Sequence, residues 1–265
     1  ARGRRSRARL SAMLNRRALL ATPALFVAPA RADDVEAPDR QPPRLPTPRP
    51  VRLRPGADPV TLHAGIVDGS RPPLLIRFTG AGAPATEFRF PSWYGYARVF
   101  AVRQMRGRDI VFAAFEGNTG TGTYQEIQAA IGEDDDGVAR ILALETLHHR
   151  LTGPCDGGTW LSVRATPLAD SGGLRLDHFW RRQGENCPPR PGGPVRSRLE
   201  WGTTLAWSGR GPMRAPTPLP GAPQARRLVE DSRTKVMAWL AAAPRNEVTP
   251  DDIDALGLME SMQAA

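Results

Sequence analysis

Two cysteines and the segment between them constrain the fold of this 265-residue chain more than any other feature. Residues 159–166 and 174–183 have the composition of strands, and the residues that separate them are turn formers. In an antiparallel pair of strands, the residue numbers of directly opposed residues always add up to the same value. For Cys155 and Cys187 this sum centres a hairpin on Ser171, inside that turn. The sequence therefore predicts a β-hairpin whose open end is closed by a disulfide.

The index sum also predicts which side chains share a face of the hairpin. It places Leu161, Val163 and Phe179 on one face and Trp160, His178 and Trp180 on the other. Unpaired thiols and half of a metal site are the alternatives, but the chain has neither a Cys-x-x-Cys motif nor a histidine at zinc-ligand spacing. A disulfide is therefore favoured, provided that the protein works in an oxidising compartment, and it would stabilise the fold by roughly 3 to 4 kcal/mol.

The N-terminal residues have the pattern of an export signal, which predicts such a compartment. Arg16-Arg17 precedes an apolar run over residues 18–29, and Ala30-Arg31-Ala32 then forms a small-x-small cleavage pattern. The paired arginines resemble a bacterial twin-arginine signal, although Asn15 replaces the usual Ser or Thr, and the general secretory route stays open. The apolar run is too short to span a bilayer. We expect a start at Met13, cleavage after Ala32 and a periplasmic protein that is not transmembrane after cleavage.

The basic character of the chain belongs to this N-terminal segment. Eight of the 36 basic residues are arginines within residues 1–32, which contain no acidic residue. The remaining 28 basic residues are almost balanced by 27 acidic ones, so the formal net charge falls from +9 to +1 after cleavage. Nucleic-acid binding needs a basic patch on the mature protein, and the sequence shows only scattered arginines. We expect a monomer that binds no nucleic acid and carries no cofactor.

The middle of the chain alternates between strand-like segments and turn signals. Residues 33–57 are rich in proline and predict a linker, and residues 58–211 predict a β domain of about eight short strands. Together with the helices described next, this pattern predicts an α+β, mostly β fold: an antiparallel meander closed as a barrel or folded as a sandwich. Residues 125–131 and 141–151 also fit helices, but the acidic turn between them favours a hairpin.

Residues 222–265 change to the helical period and predict a C-terminal pair of helices. Ala225, Val229, Val236 and Leu240 belong to one apolar stripe. A second helix is predicted to begin at Thr249, an N-cap residue that is followed by a first-turn proline and two aspartates.

Three motifs that suggest chemistry have simpler interpretations. Residues 117–123 offer glycine-rich backbone N–H groups to an anion, but they lack a phosphate-binding lysine and join two strands, which favours a hairpin turn. Residues 133–137 carry consecutive acids, whereas a calcium loop needs alternate ones, so a solvated turn without a metal is expected. Ser232 and Lys235 match a Ser-x-x-Lys catalytic pair, but they lie in the predicted amphipathic helix without the other elements of such enzymes.

Three hypotheses for function remain, each with its own discriminating feature. The first is a noncatalytic binding module for a small apolar or glycan-like ligand, with a cavity lined by Trp93, Trp160, Trp180, Trp201 and Trp207. The second is a periplasmic hydrolase that uses His149, Glu145 and Asp177, which requires a carboxylate and an imidazole to converge in a cleft. The third is an envelope assembly or scaffold protein, which would present its Pro-rich arm or an exposed apolar stripe on residues 225–240.

Overall fold

In the part of the chain that the structure describes, two antiparallel sheets and two helices are formed. The computed structural model describes residues 43–68, 73–80, 85–169, 171–189 and 191–257. The predicted export signal, residues 1–32, and residues 33–42 of the predicted linker lie outside the described residues.

The elements in chain order are β1 (Arg49–Val51), β2 (Val60–Ile66), β3 (Leu74–Thr79), β4 (Thr86–Phe90), β5 (Arg98–Met105), β6 (Arg108–Gly120), β7 (Thr123–Glu133), β8 (Ala139–Thr152), β9 (Gly158–Leu168), β10 (Gly173–Gln183), β11 (Arg196–Ala206), α1 (Gln224–Ala242) and α2 (Pro250–Ala255). The small sheet has the order β1-β2-β3-β4, and the large sheet has the order β11-β10-β9-β8-β7-β6-β5. Within each sheet every strand pairs antiparallel with its neighbour in the chain, so both sheets are meanders.

The predicted mostly β meander with a C-terminal helical pair is confirmed, but the barrel alternative is wrong. β5 and β11 are the two ends of the large sheet, so the sheet is not closed. The described residues contain eleven strands where the sequence predicts about eight. β1 and β4, which the sequence pattern missed, are only three and five residues long.

Part of the predicted linker belongs to the small sheet. β1 pairs with β2, and Val51 and Leu53 are buried in the core. The backbone N–H of Leu45 donates to a carbonyl oxygen of β5 at 2.8 Å, and the Thr47 hydroxyl bonds to both the N–H and the carbonyl oxygen of Ala64. Prolines are compatible with this position because an edge strand has one side without ladder hydrogen bonds. Residues 43–57 are therefore not a spacer.

The disulfide is confirmed, but the predicted hairpin register is wrong by one residue. Leu161 faces Trp180 and Val163 faces His178, each one position from the predicted partner. A shift of one residue moves every side chain of a strand to the opposite face. Leu161, Val163, His178 and Trp180 consequently share the core face, and Trp160 lies on the outer face.

The register differs because the cysteines lie outside the ladder between β9 and β10. Cys155 lies in the turn between β8 and β9, which is closed by the pairing of Thr152 with Gly158. Cys187 lies in the connection between β10 and β11. The disulfide therefore joins two neighbouring turns, with Cα atoms 5.4 Å apart, and the index sum of its cysteines does not determine the register of the strands.

The central strands of the large sheet are buried on both faces. In β6, Val111, Ala113 and Phe115 belong to a first core cluster, whereas Ile110 and Phe112 belong to a second. Alternate side chains of a strand point to opposite faces, so the two clusters lie on either side of the sheet. The first cluster includes side chains of β2, β3 and β4, and the second includes side chains of β9, β10 and β11.

The apolar stripe of α1 is confirmed and is buried. Ala225 and Val229 pack into the second cluster, and Val236 and Leu240 pack into the first. α1 therefore spans both clusters, and its apolar stripe is not the exposed surface that a scaffold protein requires.

α2 begins where the sequence predicts. The Thr249 hydroxyl accepts a hydrogen bond from the backbone N–H of Asp252 at 3.1 Å, and the Asp252 carboxylate accepts one from the backbone N–H of Thr249 at 2.8 Å. This is a capping box, and Pro250 follows it as the first helical residue. Within the described ranges, neither helix has both the length and the apolar composition needed to cross a membrane.

Candidate functional site

The three residues of the predicted hydrolytic set do not converge. Asp177 lies on the outer face of β10 and pairs with a neighbouring arginine at 3.1 Å. His149 is 1% exposed, and its Nδ1 atom has no hydrogen-bond partner among the described residues. Burial, followed by the charge of His148, lowers the pKa of His149 to about 4, so this imidazole is neutral at pH 7. The Glu145 carboxylate lies close to an imidazole, but this imidazole belongs to His178, which is not one of the three residues: its Nε2 atom is 3.7 Å from Glu145 Oε1.

Glu145, His178 and Arg233 form a buried group that we name the Arg233 cluster. Arg233 of α1 donates from Nε to Glu145 Oε2 at 2.8 Å and from Nη2 to Glu145 Oε1 at 2.7 Å. The same Nη2 atom lies 2.7 Å from His178 Nε2. An arginine can only donate, so Nε2 accepts and the imidazole is neutral, with its proton on Nδ1. That Nδ1 atom lies 3.3 Å from the carbonyl oxygen of Trp201.

The Arg233 cluster is closed to solvent. Glu145 is 5% exposed, Arg233 is 3% exposed, and the cavity beside them has a volume of about 10 Å³. A cavity of this size is at the lower limit for one water molecule, so no substrate reaches the carboxylate. The cluster joins α1 to β8 and β10 and acts as a structural tie.

The charges of the Arg233 cluster reinforce each other. Burial raises the pKa of Glu145, but the positive charge and the hydrogen bonds of Arg233 outweigh burial and lower it to about 2. Burial lowers the pKa of Arg233, and the charge and hydrogen bonds of Glu145 outweigh it, so that this pKa is raised. Both groups stay ionised near neutral pH, and neither is suited to proton transfer there.

The five tryptophans of the predicted binding site occupy three separate environments. Trp180, Trp201 and Trp207 belong to the second core cluster and pack as ordinary core side chains. Trp160 lies on the outer face of β9, where an arginine guanidinium covers its ring at 4.6 Å from the centroid. Trp93 is half-buried and lines a depression of the surface.

The depression beside Trp93, which we name the Trp93 groove, has a volume of about 260 Å³. It lies between two segments that are distant in sequence and is lined by Pro73, by Arg89, Phe90, Pro91, Ser92 and Trp93, and by Glu247, Val248, Thr249 and Pro250.

Backbone hydrogen bonds hold the two walls of the Trp93 groove together. The N–H of Arg89 donates to the carbonyl oxygen of Asn246 at 2.9 Å, and the N–H of Val248 donates to the carbonyl oxygen of Arg89 at 3.0 Å. The capping box of α2 fixes Thr249 and Pro250 at one end. The groove is therefore a preformed feature of the fold.

A buried carboxylate holds the loop that carries Trp93. Glu116 of β6 is 1% exposed, and its Oε2 atom accepts hydrogen bonds from Ser92 Oγ at 2.9 Å, from the N–H of Tyr94 at 3.2 Å and from the N–H of Tyr96 at 3.3 Å. Hydrogen bonds to an ionised acceptor are stronger than neutral ones. One carboxylate thus binds donors on both sides of Trp93.

The far end of the same loop is held by a second buried charge. Glu116 faces Glu126 across the β6–β7 pair, and the Glu126 carboxylate is 2.7 Å from Arg98 Nη2. Arg98 also donates to the carbonyl oxygen of Tyr96 at 3.0 Å. The Tyr94 and Tyr96 rings stack on the exposed side of the loop, with centroids 6.3 Å apart. The loop therefore has a defined conformation although its tyrosines face solvent.

A second depression, of about 440 Å³, lies on the outer face of the small sheet. Gly65 leaves it open, because an added Cβ atom would meet no atom within 4 Å. Its polar groups are already paired: the Arg77 guanidinium contacts Glu87, and the His63 imidazole lies 3.3 Å from the Thr79 hydroxyl. Among the described residues, no Phe, Tyr or Trp side chain lines it, in contrast to the Trp93 groove.

The three motifs that the sequence offers as alternatives are structural. Residues 117–123 belong to the β6–β7 hairpin, as predicted, and Gly122 has the positive φ of 79° that its turn requires. The acidic turn is solvated only in part, because Asp135 and Asp136 are exposed whereas Asp134 is 1% exposed and pairs with Arg140 at 2.9 Å. The Ser232 hydroxyl lies 3.3 Å from the carbonyl oxygens of both Leu256 and Gly257, directly after α2, and its one proton is shared between them. In the part of the chain that the structure describes, no three His, Cys, Asp or Glu side chains are arranged to hold a metal ion.

Sequence reasoning missed Glu116 and Arg233, although each has a recognisable signal. Arg233 lies four residues after Val229 and three before Val236, so the helical period places it on the apolar face of α1. Glu116 directly follows Phe115, at the end of an apolar run. A charged residue inside an apolar pattern indicates a buried partner.

No protein-family model matches the chain, and no curated protein and no solved structure matches it.

Proposed function

We propose that this protein is a noncatalytic binding module of the bacterial envelope and that the Trp93 groove holds a small apolar or glycan-like ligand. The groove is the observation that carries the proposal. It combines the indole of Trp93 with prolines at positions 73, 91 and 250, and it has polar side chains at its rim. Small-ligand sites have this composition: an apolar wall with a few polar groups that orient the ligand.

The chemistry of the groove favours an amphipathic ligand of modest size. The hydroxyls of Ser92 and Thr249 donate to Glu116 and Asp252, so they serve the fold. Arg89 is exposed beside the apolar wall and supplies the groove with hydrogen-bond donors. A sugar ring presents apolar C–H groups on its face and hydroxyls at its edge, which fits an indole wall beside a guanidinium.

The overall architecture supports a binding module. Side chains of both sheets meet in the first core cluster, and we propose that the fold is a β-sandwich rather than an open pair of sheets. The groove is lined by a loop and by the segment between the helices, both carried on this rigid core. Neither alternative has comparable support, since the Arg233 cluster is closed to solvent and the apolar stripe of α1 is buried.

We further propose that the protein is an exported monomer, cleaved after Ala32 and active in the periplasm. The disulfide between Cys155 and Cys187 supports this proposal, because disulfides persist in oxidising compartments. Comparison of the native and denatured intact mass of protein purified from the envelope tests cleavage and the disulfide together.

Ligand-observed NMR tests the binding proposal. The mature protein is screened against a panel of monosaccharides, disaccharides and short-chain aliphatic acids and alcohols, and the Kd of each binder is measured. We expect Trp93→Ala to weaken binding at least tenfold, because an aromatic anchor of a small site contributes about 1.4 kcal/mol or more. The matched control is Trp239→Ala, which removes a half-buried indole outside the groove and leaves the Kd unchanged.

Either of two results would refute the proposal: binders whose Kd is the same for wild type and Trp93→Ala, or the absence of any binder from the whole panel. Near-ultraviolet circular dichroism of both variants establishes that the core is retained.

A further inference from the structure

The outer face of the last four strands carries a row of arginines beside Trp160. Cross-strand pairing places Arg150 next to Trp160, Trp160 next to Arg181, and Arg181 next to Arg198. Directly opposed residues share a face of the sheet. Neighbouring strands are about 4.8 Å apart, so this row of four residues extends about 14 Å across β8, β9, β10 and β11. All three arginines are exposed.

The alternation of the strands adds further arginines to this face. Residues two, four or six positions apart in a strand point to the same side. We name the resulting surface the basic face; besides Trp160 it comprises Arg150, Arg164, Arg175, Arg181, Arg196 and Arg198. Two carboxylates share it, since Asp177 pairs with Arg175 and Glu200 pairs with Arg198. Among the described residues, the other four arginines have no acidic partner, so the face has a net positive charge.

Aromatic rings fix two of these guanidinium groups in place. Arg181 lies over the Trp160 ring at 4.6 Å from the centroid, and Arg164 lies over the Phe179 ring at 6.0 Å. Cation–π contacts hold a guanidinium without using its N–H groups, which remain available as donors at the edge of the plane. The side chains are therefore partly ordered before any ligand binds, which reduces the entropic cost of binding.

The positive charges of the basic face also act on the neighbouring imidazole of His148. Burial lowers the pKa of His148, and the positive charges of Arg150 and Arg181 lower it further. Both arginines therefore act on the same region of the sheet.

We infer that the basic face binds an acidic polysaccharide. Carboxylates along a uronic-acid chain match guanidinium groups, which bind planar carboxylates through paired hydrogen bonds. The spread of charge along a row of about 14 Å, on a sheet face rather than in a pocket, suits a chain and not a single small anion. Asp177 and Glu200, each paired with an arginine, can accept hydrogen bonds from sugar hydroxyls.

Two other polyanionic partners fit this surface less well. Single-stranded nucleic acid is bound by stacking successive bases on open aromatic rings, but the Trp160 ring is covered by Arg181. A membrane surface is bound by basic residues together with inserted apolar side chains. The large exposed apolar side chains of the described residues are Val67, Tyr94, Tyr96, Val195 and Leu219, and none lies within β8, β9, β10 or β11.

Calorimetric titration with a short oligogalacturonate tests the inference. The variant Arg150→Gln/Arg181→Gln removes two charges from the row, and the matched control Arg103→Gln/Arg227→Gln removes two exposed arginines from β5 and α1. We expect the first variant to bind the oligogalacturonate about five- to tenfold more weakly, and the control to bind it like wild type. Binding should weaken as ionic strength rises, because these charges are exposed.

Three results would overturn the inference: equal loss in both double variants, equal binding of a neutral glucose oligomer of the same length, or tighter binding of an oligothymidylate or of phosphatidylglycerol vesicles than of the oligogalacturonate. The inference does not depend on the Trp93 groove. Trp93→Ala should bind the oligogalacturonate like wild type, so a failure of one proposal leaves the other intact.

Discussion

Replacement of Arg233 by methionine is the change that most severely tests the description of the core. Methionine keeps much of the length and the apolar contact of the arginine stem but has no donor for the Glu145 carboxylate. Glu145, which is 5% exposed beside a cavity of about 10 Å³, would then be left without its cation. His178 Nε2 would lose the hydrogen bond that it accepts from Arg233 Nη2 at 2.7 Å.

Two arguments give the same magnitude for this change. Removal of one member of a buried ion pair costs about 3 to 5 kcal/mol. Independently, the pKa of Glu145 is lowered from its ordinary value of 4.5 to about 2. A shift of that size, at about 1.4 kcal/mol per pH unit, corresponds to roughly 3 kcal/mol of stabilisation. We therefore expect Arg233→Met to lower the free energy of unfolding by about 3 to 5 kcal/mol at pH 7.

The pH dependence follows from the direction of the shift. The pKa of Glu145 in the folded protein is below its value in the unfolded chain, so the stabilisation is complete above pH 4.5 and is lost as the pH falls from 4.5 toward 2. In Arg233→Met, burial becomes the main influence and raises the pKa of Glu145. The gap in stability between wild type and variant should therefore narrow as the pH falls from 7 through 4.5.

Urea denaturation, followed by tryptophan fluorescence, measures these free energies. The control is Glu145→Leu/Arg233→Met, which removes both charges and should recover most of the loss, because apolar replacement of a whole buried pair is often neutral. A loss below about 1 kcal/mol in Arg233→Met, or a double variant as unstable as the single one, would refute the role of the Arg233 cluster.

Three further perturbations have defined outcomes. Cys155→Ser/Cys187→Ser opens a disulfide that joins residues 32 apart and should lower the free energy of unfolding by about 3 to 4 kcal/mol; equal urea midpoints under non-reducing conditions would contradict this. Glu116→Gln retains an acceptor but loses the negative charge to which three donors bind, so amide exchange of the loop that carries Trp93 should accelerate about tenfold. Unchanged exchange would count against the role of Glu116 in holding this loop. Thr249→Ala removes the N-cap of α2 and should cost about 1 kcal/mol in thermal denaturation; a cost of zero would mean that the capping box contributes nothing.

The elements that the sequence predicted well are those with a strong local signal. The stripe of α1 at Ala225, Val229, Val236 and Leu240 is buried, and Thr249 caps α2 as predicted. Both depend on spacing within one segment, which the sequence shows directly.

The register of the hairpin required information that is not local. The cysteines lie in neighbouring turns, so their pairing did not reveal that Leu161 faces Trp180. Because one residue of shift exchanges the two faces of a strand, this single error placed Trp160 beside His178 instead of on the outer face. The basic face could not be recognised without the correct register, because its arginines come from four strands.

The candidate site depended on contacts between distant segments. Trp93 was predicted as a binding residue, but its groove also needs residues 247–250, which hydrogen bonds join to β4. Glu145 was predicted as a catalytic residue, whereas its partner Arg233 lies 88 positions away in the chain. No sequence spacing connects such pairs.

The side-chain indole N–H resonances of the mature protein report directly where a small ligand binds. The chain has six tryptophans, and single Trp→Phe variants assign their resonances. On titration with the best binder of the small-molecule panel, we expect the Trp93 resonance to shift with the Kd of binding, while the buried Trp180 and Trp201 resonances stay in place. Shifts at Trp180 or Trp201 without one at Trp93 would contradict binding in the Trp93 groove, because the ligand would then occupy the core.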